Sequence, residues 1–267
     1  MEVTADLPSD ELQRECNNYM SSFINISQSK IEEVERNTRG QSFSPTWVEE
    51  RKRRVTSSAF GDIMSRNTKS NVTPIVKRLL YTSFGGNKYT RRGLQQEGVT
   101  IKEYVQRKKE EGKDVQVSTS GLVIDQENSF LACSPDGIVQ EDGQKGLIEI
   151  KNLLQTSQMS LQTAAKKGNF CLELKEDKLF LKNTHKFYFQ CQGLLNICNV
   201  NWLDFIVRRT EPYQIFIQRI ERDNNLWRNA MVPKLQAFYN KCILPELCSP
   251  RFKTTTGIRE PEKPWVS

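Results

Sequence analysis

Two turn signals and one strand dominate the middle of the chain. In SPDGIVQEDGQKGLIEIKN, from Ser134 to Asn152, SPDG is a turn and EDGQKG a loop. Proline presets φ for a turn, and Asp and Gly suit the positions that follow. The return segment LIEIK is rich in β-branched residues, so the stretch reads as a β-hairpin. Alternation along its second strand sends Ile148 and Ile150 to one face and Leu147, Glu149 and Lys151 to the other. The residues alone leave two readings open. The hairpin is plain and carries an exposed edge ion pair, or it brings Asp136 beside Glu149 and Lys151 to hold a metal ion.

The rest of the chain narrows the available chemistry. A single histidine, His185, excludes both a His-rich metal centre and a conventional Ser-His-Asp triad. The seven cysteines show no CxxC spacing and read as buried free thiols of an intracellular, reducing compartment. Of 267 residues, 37% are hydrophobic and 27% charged, which supports a packed core and argues against wholesale disorder. No apolar run approaches bilayer length, and the N-terminus has no hydrophobic block of a secretory signal. A soluble protein is expected, with its chemistry resting on carboxylates, lysine and arginine. The net charge of +7 suits a polyanionic partner. The basic clusters at 51–54, 91–92, 107–109, 166–167 and 208–209 each read singly as a solvated face. The first, RKRR, also has the composition of a nuclear signal.

Along the chain, residues 1–42 read as an N-terminal helical extension, residues 43–255 as the main domain and 256–267 as a C-terminal tail. Helices are expected at Trp47 into the basic run, over SAFGDIM, over VTPIVKRLLYTSF and from Thr90 to Glu111. VQVSTSGLVID, SFLACS, GIVQ and GLIEIKN read as strands, and FCLELKEDKLFLK as a hairpin. A helix over KFYFQCQGLLNIC precedes two strands, WLDFIVRR and YQIFIQRI. A last helix over LWRNAMVPKLQAFYNKCI is kinked at Pro233. Helices flanking a mixed sheet make an α/β protein.

Two polar residues resist a purely structural reading. Glu97 lies between Leu94 and Ile101 inside the apolar stripe of its helix, where an unpaired carboxylate is costly. On the helix over 186–198, Gln190 flanks the apolar stripe of Phe187, Cys191, Leu194 and Cys198, whereas Gln192 points nearly opposite. An acid and an amide therefore lean inward from helices before and after the hairpin.

The motifs WVEERKRRVTSSAFGDI, RGLQQE, ACSPDG, GLIEIK and FQCQ occur in the order seen in a known family. The chain resembles the lambda-exonuclease branch of the PD-(D/E)XK nucleases, the YqaJ-type viral recombinases, over about residues 43–250. The inserted hairpin before the glutamine helix is similar to that of eukaryotic members. The resemblance implies a restriction-endonuclease-like core with a central mixed sheet, and hydrolysis of DNA phosphodiester bonds. A Mg²⁺-dependent 5′→3′ exonuclease on double-stranded ends is expected. A structure-selective endonuclease or nickase, and a non-catalytic nucleic-acid-binding module, are the alternatives.

By the same resemblance, Asp136, Glu149 and the carbonyl of Ile150 would ligate Mg²⁺ or Mn²⁺, and Glu97 would complete the shell. Lys151 would position the attacking water, with burial lowering its pKa toward that of a base, and Gln190 would orient it. Arg51 and Ser58 would bind a DNA 5′-phosphate. An arginine that the lambda enzyme carries six residues after the lysine is replaced here by Ser157, which leaves the 5′-phosphate pocket either weaker or filled from elsewhere, as by Lys166 or Lys167. A ring-forming trimer around DNA is a further implication of the resemblance.

Overall fold

A computed structural model describes residues 8–82, 88–153, 159–254 and 257–266, with the backbone alone for residues 88–95. The chain opens with helices α1 (Ser9–Tyr19), α2 (Gln28–Asn37) and α3 (Pro45–Lys52), the last begun by Ser44, whose hydroxyl accepts from the Trp47 amide. Strand β1 (Val55–Thr56) leads into α4 (Ser57–Met64) and α5 (Thr73–Tyr81), then the long α6 (Lys88–Glu110). Strands β2 (Val115–Ser118), β3 (Val123–Ile124), β4 (Leu131–Cys133), β5 (Gly137–Glu141) and β6 (Gln144–Leu153) follow. Helix α7 (Leu161–Ala165), the hairpin β7 (Leu172–Lys175) and β8 (Lys178–Leu181), and α8 (Lys186–Ile197) form the crossover to β9 (Trp202–Thr210). Strand β10 (Tyr213–Glu221) returns beside β9. A helical run from Asn224 to Cys248 then includes two π-helical turns, at Trp227–Met231 and Tyr239–Ile243.

The main sheet has five strands in the order β10-β9-β6-β5-β2. Only β6 and β9 pair in parallel, with Glu149 opposite Phe205 and Lys151 opposite Val207; the other three pairings are antiparallel. A small second sheet joins β1, β4 and β3. VQVSTSGLVID is thus not one strand: its halves, β2 and β3, belong to different sheets. The TSG between them breaks the run, and Leu122 beyond it is fully buried in another cluster.

The sheet is covered on both sides, giving the expected α/β architecture of a central mixed sheet flanked by helices. Leu147, Leu203, Phe205 and Val207 face α4, α8 and the C-terminal helical run in the largest core. Ile148, Ile150 and Ile206 face Tyr104 of α6 in a second. The alternation read in LIEIK is therefore real, but β6 is an interior strand, and Glu149 is only 2% exposed. Gly137 is demanded by the packing of β5 between its neighbours, because a Cβ there would stand 2.7 Å from Val117 and 3.0 Å from Ile148.

The termini join this packing. Cys16 and Ile24 from the N-terminal helical segment lie in the largest core, so that segment packs on the fold. Residues 257–266 are also packed: Trp265 is fully buried against Phe238, and the Glu260 carboxylate accepts from the Val72 and Thr73 amides at the start of α5. Burial of that indole docks the C-terminal tail on the fold.

Several basic clusters are structural. Arg54 of RKRR is buried and pairs with Glu50, while Arg53 pairs with Glu49 and Glu50. Arg208 and Arg209 are 7% and 1% exposed, and Arg208 makes a two-pronged bond to Glu103 at 2.8 Å. Lys108 joins Glu141, Asp204 and Arg219 in one buried ion network. These cations balance acids within the fold, where a solvated face had been expected. Among the described residues, no helix is long and apolar enough to cross a membrane, and all seven cysteines are free.

Candidate active site

The β5–β6 hairpin and α8 converge on one point. Lys151 Nζ donates to Glu149 Oε1 at 2.5 Å and to Gln190 Oε1 at 3.2 Å. Gln190 Nε2 donates to the same Glu149 oxygen at 2.7 Å, closing a triangle of three side chains. Asp136 enters from the turn before β5, its Oδ2 accepting from the Ile150 amide at 2.6 Å. The sequence thus placed Glu149, Lys151 and Gln190 on elements that do meet, and the inward lean read for Gln190 is observed, with 9% exposure.

Gln192 is different. It points away from the triangle, as its spacing suggested, but it is fully buried there. Its amide donates to the Glu221 carbonyl at 2.9 Å and accepts from the Asp223 amide at 2.8 Å, tying α8 to the end of β10. Helix α8 is embedded nearly all round, so a single apolar stripe describes it poorly.

The electrostatics are those of crowded acids. Burial, then the charges of Glu149 and Glu97, push the Asp136 carboxyl well above its ordinary range, against the opposing Lys151 ammonium and Ile150 N–H. Burial, and then Glu149, raise Glu97 to about 7. The second oxygen of Glu149 is buried without a hydrogen-bond partner, a costly arrangement for a carboxylate. Lys151 reverses the expectation made from burial alone. Desolvation would lower it, but Glu149 and Asp136 outweigh that effect and raise it, so the ammonium stays charged.

On α3, Arg51 Nη2 donates to Ser58 Oγ at 3.3 Å, and its guanidinium lies over the Trp47 ring at 4.2 Å. Trp47 Nε1 in turn donates to Ser134 Oγ at 2.9 Å, one turn residue from Asp136's neighbour Pro135. Gln41 grips the same turn, donating to the carbonyls of Ser120 and Pro135 at 3.1 and 3.2 Å. Thr100 on α6 bonds Asn152 at 2.8 Å, fixing the far end of β6 near Glu97. Trp47, Gln41 and Thr100 were not singled out in the sequence, because only tertiary approach across 52 to 94 residues reveals their bonds. Ser157 lies outside the described residues; Lys166 and Lys167 are exposed at the end of α7.

Among the described residues, no three Asp, Glu, His or Cys side chains are gathered closely enough to cage a metal ion by themselves. The donors present are nevertheless hard oxygens crowded together, with one Glu149 carboxylate oxygen left without a partner. That set fits Mg²⁺, which characteristically takes one or two carboxylates and keeps its remaining positions for water and substrate phosphate.

The family model of the YqaJ-like viral recombinase domain matches residues 46–201. No curated protein matches the chain. Among solved structures, the chain is similar to an alkaline exonuclease, LHK-Exo, from Laribacter hongkongensis, at 25% identity and a TM-score of 0.52. The match covers 76% of this chain and 93% of that one. It also shares its fold with the Shutoff and Exonuclease Protein of Kaposi's sarcoma-associated herpesvirus, at 11% identity and a TM-score of 0.50, over 90% of this chain and 81% of the other.

Proposed function

We propose that this chain, which belongs to the YqaJ-like viral recombinase family, is a metal-dependent nuclease that digests double-stranded DNA from its ends, 5′ to 3′. The observation that carries the reading is the Glu149–Lys151–Gln190 triangle beside Asp136. The likeness to an alkaline exonuclease over nearly the whole of that protein supports the same substrate and reaction class.

Asp136 and Glu149 would hold a divalent cation with the Ile150 carbonyl, and Glu97 would complete the set. When bound, such a cation supplies Lewis acidity to the scissile phosphate and acidifies water. Lys151, held by Glu149 and Gln190, would serve as a positive charge facing the developing negative charge on the phosphate. Gln190 holds Lys151 and Glu149 at once, so neither can turn away without losing a bond. Arg51, in the last turn of α3, and Ser58, at the start of α4, would receive a 5′-phosphate, with Trp47 under the guanidinium setting its plane.

The test is a gel of 5′- and 3′-labelled linear duplex, with covalently closed circular DNA alongside, in the presence of Mg²⁺ or Mn²⁺. Loss of the linear substrate from its 5′ ends, with the circle spared, is expected. Cleavage of the circle would replace the exonuclease assignment with an endonuclease, and binding without hydrolysis of either would leave only a binding module. Asp136→Ala and Lys151→Ala should each reduce turnover by at least about a thousandfold. Sedimentation velocity with and without duplex reads whether the active form is the trimer implied by the family likeness.

A further inference from the structure

Lys151 has a third contact that the triangle does not include. Its ammonium lies 4.5 Å from the centroid of the Phe187 ring. Two of its N–H bonds go to Glu149 and Gln190, so an ammonium with three donors still needs something on its remaining side. The side chain is only 20% exposed, which removes most of the water that would otherwise serve. A third carboxylate there would neutralise the charge. An aromatic face attracts a cation electrostatically and leaves the charge in place.

The ring is held for that purpose. Phe187 sits in the first turn of α8, where its amide donates to Nδ1 of His185, the helix N-cap, at 3.2 Å. The His185 ring meets it edge-on at 4.7 Å, and Phe205 lies at 6.1 Å on the strand position that pairs with Glu149. Lys186 Nζ is farther, at 5.7 Å, and is exposed, so Lys151 has the closer claim on the ring. Gln190, three residues on, lies on the same side of the helix, and one helical turn thus presents both an amide and a π face to one ammonium.

We infer that Phe187 is a positioning residue for Lys151, its ring face fixing the ammonium in the direction from which it meets the scissile phosphate. The inference rests on the nuclease reading above. It differs from a packing role because it depends on the electron density of the ring as well as on its shape.

The experiment replaces Phe187 in the full-length protein by mono-, di- and trifluorophenylalanine, which drain the ring face while nearly keeping its shape. Turnover of 5′-phosphorylated linear duplex with Mg²⁺ is then measured. The expected result is a stepwise fall in kcat of about tenfold across the series, with KM within about twofold of the parent and an unchanged melting temperature. Phe187→Trp should retain activity, and Phe187→Leu should lose about as much as the trifluoro variant. A flat kcat across the series, with the parent active, overturns the inference alone and leaves the nuclease reading standing. A parent protein that hydrolyses no DNA overturns the nuclease reading and this role with it. The contact itself is read independently by NMR. The ε-methylene protons of Lys151 should be displaced by the ring current in the parent and return toward ordinary lysine values in Phe187→Leu. Their ordinary position in the parent would overturn the contact.

Discussion

Gly61→Ala is a small change whose consequences can be worked out from one crossing. Helices α4 and α8 approach so closely at Gly61 that a Cβ there would stand 2.3 Å from the Cα of Lys186 and 2.5 Å from its carbonyl oxygen. Ordinary carbon–carbon contact is about 3.5–4.0 Å, so the helices must part by about 1.2 Å or more. The obstacle is backbone, and no rotamer change relieves it. Overpacking of this kind costs about 1–3 kcal/mol, offset by about 1 kcal/mol from the better helix propensity of alanine. The net loss of up to about 2 kcal/mol corresponds to a fall in Tm of up to about 8 °C.

The effect on turnover should be larger than the effect on stability. Lys186 begins the helix whose next turn carries Gln190, and Gln190 holds Lys151 and Glu149 at 3.2 and 2.7 Å. A displacement of about 1 Å in a reacting constellation can cost about a hundredfold in rate. Differential scanning calorimetry and a steady-state nuclease assay on the same preparation measure both quantities. Full turnover with an unchanged or raised Tm would refute the idea that this crossing sets the position of Gln190.

Three further outcomes follow from other contacts. Without divalent cations at pH 8, Asp136→Asn should melt higher than the parent. A carboxyl whose folded pKa is raised loses stability as pH climbs through that pKa, and the amide removes the charge; added Mg²⁺ should raise the Tm of the parent only. In the buried network, burial alone would raise Asp204 and Glu141, but Arg219 and Lys108 overcome it and hold both low. Their stabilisation is therefore present above the unfolded values of about 4 and lost as pH falls below them. Urea midpoints should drop through that window in the parent and less steeply in Asp204→Asn. Gln192→Leu leaves the Glu221 carbonyl and Asp223 amide without their present side-chain partner and should cost about 1–3 kcal/mol in urea unfolding, with KM for DNA unaltered.

What the sequence made legible follows the range of the interactions. The hairpin, its strand faces and the helix bearing Gln190 depend on local periodicity and turn chemistry, and they stand where Pro135, Gly137 and the LIEIK alternation put them. Burial of charged residues was the weak point. Nothing within the RR at 208–209 tells that an acid waits on another element, yet Arg208 meets Glu103 of α6. Lys151 shows the same limit in its protonation, since desolvation was foreseeable and the two opposing carboxylates outweigh it. The docking of the C-terminal stretch is hidden in the sequence for a related reason: it rests on Trp265 meeting Phe238, a contact that no local pattern announces.

The crossover between β6 and β9 also divides the site by the order in which it can assemble. Asp136 meets the Ile150 amide across 14 residues of chain, whereas Gln190 meets Glu149 across 41. Closing the longer loop costs about 1 kcal/mol more in chain entropy, and it requires α7, the β7–β8 hairpin and α8 to be in place. The carboxylates can therefore gather while the ammonium is still unclamped, and pulsed hydrogen exchange should find the Ile150 amide protected ahead of the amides of α8. A newly made chain would pass through a form that already concentrates negative charge but cannot yet cut, and hydrolytic competence would arrive only once α8 has docked.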